Sequence, residues 1–189
     1  MTRRSVLSVL CRGLALLCAA VVAVPGVRLL IHPLRGRSAG SAIVRRIVKL
    51  SDLPVDTPRQ FAITGSRLDA WTLYPQETLG RVWLLRRGSA DAAPETVRVD
   101  AYSNVCPHLG CAIHLEPGGG QFICPCHHAA FHLSGEALSD EELGETNPTP
   151  RGMDSLVCRV VQDKPDDPWW VEVEYQRFTY GLTDKVPRA

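Results

Sequence analysis

Acidic residues are absent from the first 49 positions of this 189-residue chain, which carry nine Arg and Lys residues. The rest of the chain holds 12 basic and 20 acidic residues, so the body is expected to be acidic. Because the body lacks a basic face, the composition argues against nucleic acid as a partner. A basic N-terminus ahead of an acidic body suits an anionic membrane surface with a domain on its other side.

Aromatic residues are also scarce, at 6% of the chain, and the body shows neither a long helical period nor an internal repeat. These absences argue against a helical or repeat architecture. The whole chain has 14 Pro and 15 Gly, and the body is expected to be loop-rich and all-β, an antiparallel β-sandwich or barrel. Strands are predicted at 42–50, 59–64, 81–87 and 95–103, with a hairpin formed by 155–162 and 169–176. Trp71, Trp169 and Trp170 are expected to pack in the core or at sheet edges.

A long uncharged run is missing as well, because the stretch without charge near the N-terminus covers only residues 13–27. A membrane-spanning helix needs about 20 residues. Arg12 and Arg28 lie near its ends, and their side chains can extend to the membrane surface. Residues 13–31 are therefore predicted to form a transmembrane anchor.

Arg3 and Arg4 precede this apolar run, which is the pattern of a twin-arginine export signal. Cleavage near Ala23 is the alternative to a retained anchor. Both interpretations place the body outside the cytoplasm. The predicted layout is a cytoplasmic segment at 1–12, the anchor at 13–31, a flexible linker at 32–42 and an exported domain at 43–189.

Four of the seven cysteines lie in two short loops, CPHLGC at 106–111 and CPCHHAAF at 124–131. Two thiolates and two imidazoles from these loops can form a tetrahedral zinc site, or can hold a [2Fe–2S] cluster with two Cys on one iron and two His on the other. The candidate ligands are Cys106, His108, Cys124 and His127. Cys111 and Cys126 are left over, and in an exported domain such a pair on two facing loops is typical of a disulfide.

The order C-x-H-x-G-C followed by C-P-C-H resembles the motif pair of Rieske iron–sulfur proteins. The iron–sulfur subunits of cytochrome bc1 and b6f complexes are the most similar kind. The resemblance covers about residues 3–182, and NPTPRGMDSL at 147–156 is similar to the proline loop that covers the cluster in that family. It implies a Rieske-type fold with a cluster-binding part at about 104–152.

The resemblance also implies roles for individual residues. One [2Fe–2S] cluster would be bound by Cys106 and Cys124 on the buried iron and by His108 and His127 on the outer iron. A Cys111–Cys126 bridge would join the loops, and Pro148 and Pro150 would belong to the proline loop.

The function that the resemblance implies is electron transfer from quinol, coupled to proton transfer, with delivery of the electron to a c-type cytochrome. In this family the imidazole corresponding to His127 accepts the hydrogen bond from quinol, and His108 lies beside it. The expected partners are a cytochrome b-type subunit, a c-type cytochrome, quinol and membrane lipid. The expected location is the bacterial inner membrane, with the domain on the periplasmic face. Activity is expected of the assembled quinol–cytochrome c oxidoreductase, not of the isolated chain.

The residues after the second histidine motif depart from the family pattern. High-potential members have Gly-Ser-x-Tyr there, and the two hydroxyls donate hydrogen bonds to cluster and ligand sulfur. This chain has His128-Ala129-Ala130-Phe131. Because Ala129 and Phe131 lack the hydroxyls, the sequence predicts a lowered potential that suits menaquinol better than ubiquinol. If the first position requires a positive φ, His128 is costly there.

The alternative function is that of the small Rieske subunit of an arsenite-oxidase-like molybdenum enzyme. Those subunits also carry twin-arginine signals and accept a bulky residue where His128 stands. The proline loop, the predicted anchor and the C-terminal RFTYGLTDKVP favour the bc-type subunit. A Rieske ferredoxin or oxygenase domain is disfavoured because such proteins normally lack the disulfide pair.

Overall fold

The structure is a computed structural model that describes residues 3–31, 42–69 and 71–188, with side chains throughout except at 67–69. The chain divides into one unit that contains the N-terminal helix and a second unit, Ala39–Arg188. Each unit is described by itself. The predicted linker at 32–42 lies outside the described residues apart from Ala42.

The N-terminal unit is one helix, α1 (Arg3–Ile31), of 29 residues and with a mean hydropathy of 2.4 over its most apolar window. At 1.5 Å per residue it is about 43 Å long, more than the thickness of a bilayer's hydrocarbon core. Within the part of the chain that the structure describes, it is the one helix long and apolar enough to span a membrane, a criterion that an N-terminal signal sequence also meets. The helix begins at Arg3, ahead of the predicted anchor, because Val6, Leu7 and their neighbours continue its apolar character.

The second unit is built from short antiparallel strands, so the all-β expectation is confirmed. Its described elements are β1 (Ile43–Lys49), β2 (Arg59–Asp69), β3 (Thr72–Arg87), β4 (Arg98–Ser103), β5 (His114–Leu115), β6 (Gln121–Ile123), β7 (Ala130–His132), a one-turn helix α2 (Asp140–Leu143), β8 (Val157–Val161) and β9 (Trp170–Tyr175). The strands form three three-stranded sheets, in the orders β1-β9-β8, β2-β3-β4 and β5-β6-β7. The predicted C-terminal hairpin is β8–β9, and its strands pair as expected.

Strand β3 separates two apolar cores, which is why the run VWLL is buried on both faces. Val82 and Leu84 point into a first core, shared by the β1-β9-β8 and β2-β3-β4 sheets. Trp83 points the opposite way, into a second core that lies under the β5-β6-β7 sheet. The second core comprises Trp83, Tyr102, Cys106, Ile113, Phe122, Cys124, Ala129, Phe131 and Met153.

The β2–β3 hairpin is longer than the sequence predicts, and the expectation for Trp71 is wrong. The sequence predicts strands only at 59–64 and 81–87 in this region. Main-chain pairing nevertheless continues to Asp69 and Thr72, across two register shifts. Trp71 stands at the hairpin end and is 98% exposed, since this end extends beyond the first core.

Candidate metal centre

The first loop, 106–111, follows strand β4 and closes on its own backbone. The N–H of Cys106 donates to the carbonyl of Cys111 at 2.8 Å, and the N–H of Gly110 donates to the carbonyl of Cys106 at 2.9 Å. Gly110 has φ +82°, a left-handed conformation that glycine adopts without a side-chain clash. Cys106 is fully buried at the base of the loop, while His108 is half-buried near its end.

The second loop lies between β6 and β7 and closes in the same pattern. The N–H of Cys124 donates to the carbonyl of Ala129 at 2.8 Å, and the N–H of His128 donates to the carbonyl of Cys124 at 3.0 Å. His128 therefore occupies the place that Gly110 holds in the first loop. The φ of His128 is +61°, so this position does require the left-handed conformation considered in the sequence analysis. That conformation costs an L-residue about 1–2 kcal/mol.

The two loops bring the four predicted ligands together in pairs. Cys106 and Cys124 are 0% and 1% exposed, and their thiols interact with each other. The rings of His108 and His127 meet edge to face with centroids 4.8 Å apart, and His127 is exposed to solvent. Two sulfurs thus face the interior while two imidazoles lie at the surface.

A disulfide joins the loops between Cys111 and Cys126, as predicted. The Sγ of Cys124 lies within 4.8 Å of both bridge sulfurs. These two sulfurs are bonded to each other and offer no thiolate, so this close group of three cysteines is not a metal site by itself. The bridge instead covers one side of the buried thiol pair.

The donor atoms fit an iron–sulfur cluster. Burial raises the pKa of the Cys106 thiol, and the neighbouring Cys124 raises it further. Two thiolates are stable in such dry surroundings when a cation binds them. The Nδ1 atom of His108 is buried, and no hydrogen-bond partner for it lies among the described residues. A metal ion satisfies such a nitrogen lone pair.

The second core surrounds the thiol pair with apolar groups. Ala129 and Phe131 are 0% exposed, and the Phe122 ring centroid is 5.2 Å from that of Trp83. The indole N–H of Trp83 donates to the Oδ1 of Asn104 at 2.8 Å, which satisfies a polar group within this core. Ala129 and Phe131 therefore lie against the site but bring no hydroxyl to it.

The segment similar to a proline loop, 147–156, is attached to the second loop by Asn147. Its side-chain amide donates to the carbonyls of Ala130, at 2.9 Å, and Leu138, at 2.8 Å. Pro148 and Pro150 follow, both half-buried. This attachment places the prolines beside strand β7, which continues from the second loop.

The sequence motifs do not indicate several residues that help to build the site. Asn104 and Asn147 satisfy buried polar groups, and Arg151 joins the segment 147–156 to the C-terminal residues. Asn147 offered a signal, because an Asn directly before a proline-rich turn commonly bonds nearby backbone groups. Arg151 offered none for its contact with the C-terminal residues, since the carbonyls of Thr179 and Leu182 lie 28 and 31 positions away.

Comparisons with known proteins agree with this geometry. Residues 45–150 match the family model of the Rieske [2Fe-2S] domain. The menaquinol:cytochrome c reductase iron-sulfur subunit of Bacillus subtilis (strain 168) is 26% identical over 137 residues, which cover 71% of this chain and 75% of that protein. The cytochrome b6-f complex iron-sulfur subunit 2 of Synechocystis sp. (strain PCC 6803) is 25% identical over 175 residues, 89% of this chain and 92% of that protein.

Among solved structures, the plasma membrane Rieske protein PetC3 of Synechocystis PCC 6803 superimposes with a TM-score of 0.40 at 18% identity, over 67% of this chain and 97% of that one. A chain of a hyperthermophilic respiratory Complex III gives a TM-score of 0.36 at 18% identity, over 83% of this chain and 96% of that one. The match to the family model extends over more than half of the sequence and includes both metal-binding loops. The chain belongs to the Rieske [2Fe–2S] domain family.

Proposed function

We propose that this chain is the electron-transfer iron–sulfur subunit of a bc-type quinol–cytochrome c reductase. The observation that carries the proposal is the arrangement of the two loops. The rings of His108 and His127 lie 4.8 Å apart at the surface, above two buried thiols. Electrons and protons can then enter on the imidazole side alone. The names of the Bacillus and Synechocystis relatives support the same assignment.

In this proposal Cys106 and Cys124 hold one iron, and His108 and His127 hold the other. When bound, the [2Fe–2S] cluster supplies one-electron redox chemistry, at a higher potential than an all-Cys cluster because neutral imidazoles replace two thiolates. The exposed ring of His127 accepts the hydrogen bond from a quinol hydroxyl and takes up its proton. The apolar second core and the disulfide keep water from the thiol side.

Menaquinol is the proposed quinol. Ala129 and Phe131 provide no hydroxyl to stabilise the extra negative charge of the reduced site, which lowers the potential. The relative from Bacillus subtilis is named as a menaquinol:cytochrome c reductase subunit, which supports this choice. A redox titration of the purified domain tests it, with a midpoint well below the top of the Rieske range expected. A midpoint near about +300 mV would overturn the choice.

The proposed partners are a cytochrome b-type subunit and a c-type cytochrome. Helix α1 is proposed as a retained anchor in the bacterial inner membrane, with residues 43–189 as the Rieske domain on the outer face and 104–152 as its cluster-binding part. The length and mean hydropathy of α1 support its assignment as a membrane-spanning helix. The segment 32–42 then serves as the tether between the two.

The deciding experiment is a reduced-minus-oxidised optical spectrum of the complex that co-purifies with this chain from native membranes. Bands of haem b and haem c, whose reduction by quinol is blocked by a quinol-site inhibitor, are expected. Molybdenum without haem b would instead identify the arsenite-oxidase-like enzyme, whose small subunit accepts a bulky residue at the place of His128. That result would remove the quinol role of His127.

A further inference from the structure

The C-terminal tail, Arg177–Arg188, lies against the first metal-binding loop. The N–H of Gly181 donates to the carbonyl of Pro107 at 2.7 Å. The ring of Tyr180 covers Gly110 so closely that a Cβ on Gly110 would lie 2.9 Å from it. Gly110 is therefore required twice, once for its positive φ and once for the space that Tyr180 occupies.

The tail is itself folded into a closed turn. The N–H of Thr179 donates to the carbonyl of Val186 at 2.8 Å, and the N–H of Arg188 donates to the carbonyl of Arg177 at 2.8 Å. The guanidinium of Arg188 lies 5.8 Å from the ring centroid of Tyr180. Tyr180 and Gly181 stand at the end of this turn that faces the first loop.

Arg151 connects the tail to the segment 147–156. Its guanidinium makes two bonds of 2.9 Å to the carboxylate of Asp154. It also donates to the carbonyl of Thr179 at 2.9 Å and to the carbonyl of Leu182. The side chains of Arg151 and Asp154 are only 10% and 4% exposed, so the ion pair is shielded from solvent and its geometry is specific. The guanidinium of Arg151 thus binds the tail on both sides of Tyr180 and Gly181, at Thr179 and at Leu182.

We propose that Arg151 and Tyr180 are positioning residues of the cluster site, which fix the first loop and with it the ring of His108. The inference rests on the proposed role of His108 as a ligand. The carbonyl of Pro107 belongs to the peptide that joins Pro107 to His108, so the bond from Gly181 fixes the orientation of that peptide. The disulfide restrains both loops, and Asn147 adds a restraint on the second. The tail supplies the matching additional restraint on the first.

The test compares three variants of the full-length chain loaded with its cluster, Arg151→Gln, Tyr180→Ala and Tyr180→Phe. Arg151→Gln is expected to raise hydrogen exchange in a peptide covering 106–111 by about fivefold or more, the factor that the loss of one hydrogen bond produces in a local opening equilibrium. Tyr180→Ala, which removes the ring that covers Gly110, is expected to raise the exchange of the same peptide. The EPR g values and the midpoint potential should shift in both. Tyr180→Phe should match the wild type, because the ring that covers Gly110 remains.

Arg98→Gln is the matched control. Arg98 also forms an ion pair with an aspartate, Asp100, but its side chain is 79% exposed and Asp100 retains Arg87 as a partner. This variant should leave the exchange of 106–111, the EPR spectrum and the midpoint unchanged. If Arg151→Gln fails to fold, the exchange, EPR and midpoint data of Tyr180→Ala test the inference. This variant is expected to fold, because Tyr180 is 41% exposed and lies outside both cores.

Two results would overturn the inference. One is unchanged exchange, spectrum and midpoint in Arg151→Gln and Tyr180→Ala. The other is faster exchange without any change of g values or midpoint, which would make the tail a structural support only. Failure of the proposed ligand assignment would give a different result. In that case the wild-type chain itself would lack a rhombic Rieske-type EPR signal.

Discussion

At the scale of single residues, His128 and Gly110 show how one turn can be made by two different residues. Each stands four positions after the first cysteine of its loop, and both have a positive φ, +61° for His128 and +82° for Gly110. The first loop needs glycine because Tyr180 fills the space where a Cβ would lie. His128 is exposed, so the second loop has room for a side chain and bears only the backbone strain.

Replacing His128 by Gly should therefore stabilise the domain. Relief of the left-handed conformation returns about 1–2 kcal/mol, and the greater chain entropy of unfolded glycine offsets about 0.5–1 kcal/mol of it. A net increase in the free energy of unfolding of up to about 1.5 kcal/mol is expected from urea titration. His114→Gly, at an exposed strand position without positive φ, should be destabilising. A fall in stability for His128→Gly would contradict the strain argument.

Ala129 and Phe131 are the residues on which the proposal of a lowered potential rests. Both are fully buried against the thiol pair, so an added hydroxyl would act in dry surroundings. Ala129→Ser and Phe131→Tyr should each raise the midpoint by about 40–90 mV, the one-electron equivalent of about 1–2 kcal/mol for a hydrogen bond to the reduced site. Redox titration measures this.

Ala130→Ser is the control for that pair. Ala130 is equally buried, but strand alternation puts its side chain on the face of β7 opposite to that of Phe131. Its midpoint should stay at the wild-type value. An unchanged midpoint in both Ala129→Ser and Phe131→Tyr would show that missing hydroxyls do not set the potential here.

At the scale of elements, the site consists of two similar loops, each closed by backbone hydrogen bonds and each followed or preceded by short strands. Strands β5, β6 and β7 have only two or three residues each, too few to hold the loops by pairing alone. The loops are held instead by the second core beneath them, by the Cys111–Cys126 bridge and by the side chain of Asn147.

The double variant Cys111→Ala, Cys126→Ala should lose much of this restraint. The bridge spans 15 residues of sequence, and closing a loop of that length stabilises a fold by about 3 kcal/mol. A lower urea midpoint and faster loss of the cluster's visible absorbance are expected. Cys158→Ala, which removes a free, half-buried thiol from β8, should change neither. Equal stability and cluster retention in the double variant would contradict a structural role for the bridge.

At the scale of the whole domain, β3 sits between two cores, and the loops lie at the end of the second one. This arrangement leaves the two imidazoles and Leu109 at the surface, with Leu109 53% exposed between His108 and Gly110. An apolar side chain exposed beside the proposed quinol contact suits a docking surface for the proposed cytochrome b-type partner.

Leu109→Asp should therefore slow quinol-dependent reduction of cytochrome c in membranes by about tenfold, the effect of losing about 1.4 kcal/mol of docking energy. The midpoint of the cluster should not change. Val157→Asp is the matched control, because Val157 is also 53% exposed but lies on strand β8 in another sheet. Equal rates for the two variants would exclude Leu109 from the docking surface.

The metal-binding loops and most of the strands were predictable, since both depend on residues close together in sequence. Cys-x-His and Cys-x-x-His place their candidate ligands within one turn, and the alternation of apolar residues in β9 marks a strand by itself. The full length of the β2–β3 hairpin was not predictable. Its far end has Gly, Pro and an exposed Trp71, and only main-chain pairing with a partner strand makes it extended.

Residue types and local patterns are enough to predict the candidate donor set, the two cysteines left over for a disulfide, the missing hydroxyls at Ala129 and Phe131 and the all-β class. The contacts of Arg151 with the tail and of Tyr180 with Gly110 became visible only in the folded domain. Those contacts join residues 28 or more positions apart. They form only when the cores have folded, because neither partner has a local pattern that would reveal the other.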